Sequence, residues 1–228
     1  MSKSKIYNLI ILDKSGSMSS IVNEAIGGVN ETINSIKVMD KQNCEKQEQY
    51  ITLVAFCGCE ILYIFDNVPA QEAHIITPKD YEPCCMTPLY DAIEKSITKR
   101  HKLIKEDHLA TASVTIITDG YENASQEYSH ESVKSLIESY KKDGWLFAYI
   151  GADHDVEAVS FSLSIENHLK FEKSSHGTRE MFHKYQKSRN RWNSKVSESF
   201  EKTGAIIPQC MEDCNNNFFN EDDKNSDK

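Results

Sequence analysis

Apolar residues along this chain follow two alternating patterns. Short apolar runs of six or seven residues recur, and each is followed by a polar stretch in which apolar residues return every three or four positions. The short runs predict strands and the longer stretches predict helices. Alternation of this kind is typical of a mostly parallel sheet covered by helices on both faces. The predicted strands are Ile6–Leu12, Tyr50–Phe56, Glu60–Phe65, Ala112–Thr118, Trp145–Ile150 and a short one near Leu169–Phe171.

The helices and turns between these runs refine the topology. Cys57-Gly58-Cys59 reads as a tight turn joining two strands, so we expect one antiparallel edge strand in the sheet. The fold class is therefore α/β, a Rossmann-like doubly wound sheet. We attribute Gly27-Gly28, inside the first predicted helix, to close packing of that helix against the sheet. The predicted helices run from about Met18 to Lys37, Pro88 to Lys105, Ser129 to Lys142, Val156 to Leu163 and His176 to Phe200.

The end of the chain differs in composition. Residues 208–228 contain Asn215-Asn216-Asn217 and more acidic than basic residues, so they offer little to bury. We predict a single domain over residues 1–207, with its C-terminal helix at about 176–200, and a disordered, acidic, Asn-rich tail over 208–228.

Charge and cysteine content narrow the functional classes. The net charge of −9 disfavours nucleic acid and anionic membrane as partners. No apolar run is long enough for a signal-peptide core or a membrane span, so we expect a cytoplasmic protein. The seven cysteines are an odd number and are not spaced as in small disulfide-rich domains, so we expect free thiols rather than a disulfide framework. Nothing in the sequence indicates the oligomeric state.

Oxygen-bearing side chains follow the carboxyl ends of the predicted strands. Asp13, Ser15 and Ser17 come after the first strand, Asp119 after the fourth, and Thr87 lies just before a predicted helix. Ligands of open parallel sheets bind at this edge. Hydroxyl and carboxylate oxygens suit hard cations, so the five residues predict a site for Mg²⁺, Mn²⁺ or Ca²⁺.

These residues resemble the metal-ion-dependent adhesion site (MIDAS) of the von Willebrand factor A (vWA) domain family. The family pattern is Asp-x-Ser-x-Ser, a distant Thr and a later Asp, and the resemblance spans about residues 5 to 175. It implies a vWA fold, with Ser15, Ser17 and Thr87 as direct metal ligands and Asp13 and Asp119 holding the inner sphere.

The chain departs from the family pattern at Cys85, where many members have glycine, and a side chain there would be expected to shift the Thr87 loop. A narrower resemblance, to free-standing bacterial and phage-encoded vWA proteins, is carried by residues 118–125 and by Gly144-Trp145 through Gly151-Ala152-Asp153. Some relatives of that kind occur in stress-response or tellurite-resistance operons.

Three functions follow as hypotheses. A dication held mainly by neutral hydroxyls stays electrophilic, which favours a non-enzymatic protein-binding module whose metal captures an Asp or Glu side chain of a partner. The alternative is a Mg²⁺-dependent phosphoryl-transfer or hydrolase enzyme, with Asp13 placed like a phosphoacceptor. Ser15 stands where such an enzyme would carry a second Asp, and there is no Walker loop. A third possibility is a vWA subunit that works beside an ATPase.

Two acidic segments near this edge have two interpretations each. Glu122 and Asn123 either line the rim of the site or belong to a solvated loop, which we favour. Asp153 and Asp155 follow another strand end and either shape specificity or cap a helix, and we favour Asp153 as an N-cap.

The cysteines and one basic cluster have simpler interpretations. Cys84-Cys85 would make metal binding redox-sensitive or be inert thiols, and we favour inert thiols. Cys57-Gly58-Cys59 has no second pair at a zinc-binding spacing, so we expect no zinc site there. Arg189 to Trp192 is expected to form a solvated helix face.

Overall fold

A computed structural model describes residues 3–105 and 107–219. Six strands form one sheet in the order β3-β2-β1-β4-β5-β6. Every neighbouring pair is parallel except β2 and β3, which confirms the predicted mostly parallel sheet with an antiparallel edge strand. The strands are β1 Ser4–Asp13, β2 Gln47–Cys57, β3 Glu60–Pro69, β4 Ala110–Thr118, β5 Leu146–Gly151 and β6 His168–Lys170. The helices are α1 Val22–Gln42, α2 Leu89–Ile104, α3 His130–Lys142, α4 Val156–Ser162, α5 Ser175–Thr203 and α6 Pro208–Asn216.

Helices cover both faces of the sheet. Strand β1 lies at its centre, and alternate side chains of the strand enter opposite cores. Ile10 and Leu12 pack in the core beneath α1, α5 and α6, whereas Leu9 and Ile11 pack in the core beneath α2 and α3. This burial on both faces explains why the strands read as continuous apolar runs.

Strand β1 does not lead directly into a long helix. Residues Gly16–Ile21 form a 3₁₀ turn, and α1 begins only at Val22 and extends to Gln42, five residues beyond the predicted end at Lys37. The extra turn of chain keeps the polar segment after Asp13 at the sheet edge before the helix starts.

The two glycines of α1 have different environments. A Cβ on Gly28 would lie 2.0 Å from Cδ2 of Phe182, whereas one on Gly27 would meet nothing within 4 Å. Close packing is therefore confirmed for Gly28, but the partner is α5 rather than the sheet.

The predicted disorder of the tail is wrong for residues 208–219. Pro208–Asn216 form α6, and Met211, Phe218 and Phe219 are buried. Most of the acidic residues in the 208–228 segment lie after Phe219. They make the average composition of the segment polar and so conceal the apolar residues that precede them. Residues 220–228 lie outside the described part of the chain.

The predicted solvated face at Arg189–Trp192 is also wrong at two positions. Arg189 and Trp192 are 1% and 2% exposed. Arg189 donates to Oδ1 of Asn8 at 2.6 Å, and Trp192 Nε1 donates to Oδ1 of Asn215 at 2.7 Å. Burial lowers the pKa of the Arg189 guanidinium. The basic cluster thus ties α5 to β1 and α6.

Candidate metal centre

The carboxyl ends of β1 and β4 meet at one edge of the sheet. The two strands pair in parallel, with Leu12 opposite Ile117, so the residues that follow them emerge side by side. Asp13 ends β1, and Asp119 directly follows β4. This pairing brings together carboxylates that are far apart in sequence.

Asp13 is held by hydrogen bonds and is completely buried. Its Oδ1 accepts from the backbone N–H of Ser15 at 2.7 Å, and its Oδ2 accepts from the hydroxyl of Thr118 at 2.6 Å. Burial raises the pKa of the Asp13 carboxyl above its ordinary value, although the bonds from Thr118 and Ser15 oppose that rise. Asp13 therefore orders the loop after β1.

The hydroxyls of that loop point toward the second carboxylate. Oγ of Ser15 lies 3.1 Å from Oγ of Ser17, and Ser17 donates to Oδ1 of Asp119 at 2.5 Å. Ser15 and Asp119 are buried, whereas Ser17 is exposed. The oxygens consequently form a row that reaches the protein surface at Ser17.

Thr87 joins this row from the loop before α2. A Cβ placed on Gly120 would lie 3.9 Å from Oγ1 of Thr87 and 4.0 Å from Oγ of Ser17, so the two hydroxyls flank Gly120. The Thr87 backbone N–H donates to Oδ1 of Asn123 at 2.8 Å, and the Asn123 N–H donates to the Thr87 carbonyl at 3.1 Å. All five residues predicted from the sequence lie at one edge of the sheet.

Cys85 adopts the backbone conformation for which glycine is best suited. Its φ is +61°, in the left-handed region, and its carbonyl accepts from the Gly16 N–H at 3.1 Å. The loop that carries Thr87 is thus bonded to the loop of Ser15 and Ser17 despite the departure from glycine.

The acidic segment after Asp119 organises the loop rather than only facing solvent. Oε2 of Glu122 accepts from the backbone N–H of Tyr90, and Oε1 accepts from those of Ala124 and Ser125. In return, Asp91 accepts from three backbone N–H groups at 126–128. These bonds fasten the start of α2 to the loop after β4.

The structure corrects the assignment of the α4 cap. Asp155, not Asp153, is the N-cap, and its side chain accepts from the Ala158 N–H at 3.0 Å. Asp153 has a φ of +55° and lies in the turn just before it. Its carboxylate points instead toward a lysine at the site.

That lysine, Lys173, was not found by sequence reasoning. Its Nζ lies 2.6 Å from Oδ2 of Asp119 and 3.6 Å from Oδ2 of Asp153. The side chain is only 17% exposed. Lys173 lies between β6 and α5, in a segment with no motif, so no local pattern could have indicated its position beside Asp119.

The residues present fit a hard divalent cation. Three hydroxyls and two carboxylates converge, with no nitrogen or sulfur atom among the five predicted donors, which is the ligand chemistry of Mg²⁺, Mn²⁺ and Ca²⁺. A cation here would be coordinated by Ser15, Ser17 and Thr87, and Asp13 and Asp119 would balance its charge. Lys173 would share the Asp119 carboxylate with it.

No protein-family model and no curated protein matches this sequence. Solved structures do match the fold. Proximal thread matrix protein 1 (PTMP1) from the mussel byssus aligns with a TM-score of 0.55 and 14% identity over 81% of this chain. The match covers 45% of PTMP1, so this chain spans less than half of that protein. Another PTMP1 structure has a zinc-occupied MIDAS motif.

Two further structures resemble the chain over more of their own length. Manganese-loaded TRAP protein from Plasmodium vivax aligns with a TM-score of 0.50 and 15% identity, over 75% of this chain and 69% of TRAP. The VWA domain of SpRpn10 aligns with a TM-score of 0.53 and 11% identity, over 79% of this chain and 94% of that domain. The sheet order, the two helical layers and these alignments together show that the chain has the fold of a von Willebrand factor A domain.

Proposed function

We propose that this protein is a non-enzymatic, divalent-metal-dependent protein-binding module. The observation that carries the proposal is the row of oxygens in which exposed Ser17 bridges buried Ser15 and Asp119. A cation held there, Mg²⁺ in our proposal, with Mn²⁺ or Ca²⁺ as alternatives, would be coordinated mainly by neutral hydroxyls and would remain electrophilic. Its exposed position would accept an anionic oxygen from outside.

The partner is proposed to supply that oxygen as an Asp or Glu side chain. Lys173 supports this choice because its ammonium adds a second positive charge beside Asp119. An incoming carboxylate would be attracted by the cation and by Lys173, whereas a lysine or arginine would be repelled by both.

Metal binding by the site can be tested with Ser17→Ala. The side chain is exposed, so its removal leaves the core unchanged while deleting one proposed ligand. Titration calorimetry with Mg²⁺ and Mn²⁺ should show at least tenfold weaker binding than in the wild type. The matched control is Ser20→Ala, an exposed serine of the same 3₁₀ turn, which should bind as the wild type does. Equal affinity in all three proteins would contradict the proposed ligand set.

The acidic ligand can be tested by peptide display against the immobilised protein. Peptides retained in Mg²⁺ and eluted by EDTA should share an Asp or Glu whose replacement by Ala abolishes retention, and Ser17→Ala should retain none of them. Retention that survives EDTA would exclude a metal-bridged carboxylate. The same Mg²⁺ and EDTA arms, applied to a pull-down with mass spectrometry, would then identify the partner.

A phosphoryl-transfer or hydrolase enzyme is the second candidate, favoured by Lys173 because an ammonium beside a metal site can contact a phosphate. The burial of Asp13 argues against it, since this carboxylate is 0% exposed and a phosphate has no open approach to its oxygens, which also accept hydrogen bonds from Ser15 and Thr118. Hydrolysis of phosphate esters in Mg²⁺ that disappears in Asp13→Asn would favour the enzyme. We expect no turnover.

A further inference from the structure

Four cysteines from two distant segments meet beside the Thr87 loop. Cys57 and Cys59 flank Gly58 in the turn between β2 and β3, and Cys84 and Cys85 lie in the loop before α2. The sulfurs of Cys57, Cys59 and Cys84 all lie within 4.8 Å of one another. Sγ of Cys57 is 3.4 Å from that of Cys84, and Sγ of Cys59 is 2.7 Å from that of Cys85. The sequence contains no second cysteine pair at a zinc-binding spacing from Cys57 and Cys59, but folding brings Cys84 and Cys85 beside them.

Backbone contacts hold the two segments together independently of the sulfurs. The Gly58 N–H donates to the Met86 carbonyl at 2.8 Å, and the Cys84 N–H donates to the Lys14 carbonyl at 2.8 Å. A Cβ on Gly58 would lie only 3.2 Å from the Met86 nitrogen. The approach of the thiols is therefore built into the loops.

The residue at position 85 supports a ligand role on separate grounds. Cysteine is disfavoured at a φ of +61°, where glycine would cost nothing. A side chain kept in a costly backbone conformation, which Asn67, Asp153 and Ser164 also adopt, is a reason to ask what that side chain contacts. Here that side chain is a thiol directed at Cys59.

We propose that Cys57, Cys59, Cys84 and Cys85 form a second metal site, which binds one Zn²⁺ through four thiolates. Tetrahedral zinc with Zn–S bonds of about 2.3 Å places its sulfurs about 3.8 Å apart. The Cys57–Cys84 pair is already close to this separation, and the Cys59–Cys85 pair would open by about 1 Å. Cys85 is not part of the group of sulfurs within 4.8 Å of one another, so its side chain would move toward that group when the ion binds.

The surroundings of the cluster suit a thiolate-bound cation. Four thiolates around Zn²⁺ carry a net negative charge, and Lys14, whose carbonyl accepts from the Cys84 N–H and whose ammonium is paired with Glu60, lies beside the cluster. Cys59 and Cys85 are exposed, which leaves a path for the ion from solvent. A zinc ion here would clasp the β2–β3 turn to the loop that carries Thr87, without depending on what the hydroxyl site binds.

Cobalt is the probe that separates this site from the oxygen site, because only thiolate ligands give Co²⁺ an intense sulfur-to-metal charge-transfer band. The full chain is purified with a reductant, stripped of metal and titrated with Co²⁺ in excess Mg²⁺. We expect the charge-transfer band to saturate at one equivalent and to disappear when Zn²⁺ is added.

Two double variants, each lacking two exposed thiols, provide the comparison. Cys59→Ser with Cys85→Ser should weaken Co²⁺ binding at least a hundredfold, whereas Cys44→Ser with Cys210→Ser should bind as the wild type does. Cys85→Gly removes one ligand while relieving the backbone cost, so a folded protein with at least tenfold weaker Co²⁺ binding is expected.

Three results would overturn the proposal. The first is the absence of a charge-transfer band in the reduced wild type, and the second is equal Co²⁺ binding in the two double variants. The third is an intact mass showing that the reductant-treated chain keeps a disulfide among the four cysteines. That last result would assign the cluster to disulfide bonding instead.

Discussion

At the scale of single residues, the charge around Asp119 decides how strongly the site attracts a cation. Lys173 lies 2.6 Å from this carboxylate and is largely shielded from solvent. A dication at the same carboxylate would be repelled by the ammonium, and partial burial weakens screening of that repulsion. Lys173 therefore lowers metal affinity while raising the attraction for an acidic ligand.

Replacing Lys173 by Met should strengthen metal binding at least tenfold, or about 1.4 kcal/mol. Methionine keeps most of the side-chain volume and removes the charge. Mn²⁺ binding followed by electron paramagnetic resonance measures the change directly. The control is Lys102→Met, an exposed position in the last turn of α2, at the end of that helix away from Thr87. It makes the same change in net charge and should leave Mn²⁺ affinity within about twofold of the wild type. A weaker site in Lys173→Met would mean that the lysine supports the metal rather than opposing it.

The five oxygen-bearing residues were predictable, and the lysine was not. Asp13, Ser15 and Ser17 follow a strand with a recognisable spacing, and Thr87 and Asp119 lie next to predicted element ends. Strand ends in a parallel sheet share one edge, which brings Asp13, Ser15, Ser17 and Asp119 together. Thr87 joins them from the loop before α2. Lys173 reaches Asp119 only because of the path that the chain takes between β6 and α5. The pattern of apolar residues does not predict that path.

At the scale of elements, the edge strand β3 is tied to α2 by a buried charge. Arg100 of α2 is 1% exposed, and its guanidinium donates to Oδ1 of Asp66 in β3 at 2.9 Å. Lys99 donates to the other oxygen at 2.6 Å. Burial opposes the charge of Asp66, but the bonds from Lys99 and Arg100 outweigh it and lower the pKa of the carboxyl.

Asp66→Ala should destabilise the fold by about 2 kcal/mol at pH 7, because it leaves the Arg100 charge buried without its carboxylate. The stabilisation by Asp66 is present above the ordinary carboxyl pKa of about 4 and is lost as the pH falls through the lowered folded value. Urea unfolding from pH 7 to pH 3 should show the variant and the wild type converging at low pH.

The control for Asp66→Ala is Glu201→Ala, which breaks the exposed ion pair with Lys46. Exposed pairs contribute little, so this change should leave the free energy of unfolding close to that of the wild type at any pH. If the two variants lose the same free energy of unfolding, the burial of Arg100 does not explain the contribution of Asp66.

The contact between α1 and α5 gives a second test at this scale. Gly28→Ala places a methyl group on the Phe182 ring and should cost about 1–3 kcal/mol. Gly27→Ala, one position earlier and open to solvent, should instead stabilise the protein by up to about 1 kcal/mol through better helix propensity. Thermal unfolding of both variants measures the difference, and equal effects would exclude the close helix contact.

At the scale of the whole molecule, the C-terminal segment completes the core on the face covered by α1 and α5. Met211, Phe218 and Phe219 are buried there. Asn215 accepts from the Trp192 indole and donates to the Gly144 carbonyl at 3.1 Å, which joins α6 to α5 and to the start of β5.

Truncation after Ile207 should therefore destabilise the protein by about 4 kcal/mol or more, since three large apolar side chains are removed from the core. Chemical denaturation of this product and of the full chain measures the loss. A stable protein ending at residue 207 would show that the domain is complete without α6.

By itself, the sequence determined the alternation of strands and helices, the antiparallel edge strand and the five oxygens at one sheet edge. Each of these depends on local periodicity or on residues adjacent to strand ends, which nearby amino acids specify. Tertiary structure alone decided the position of Lys173 beside Asp119, the meeting of two cysteine pairs and the docking of α6. Those features join segments far apart in the chain, and their contacts follow from how the helices and loops pack on the sheet.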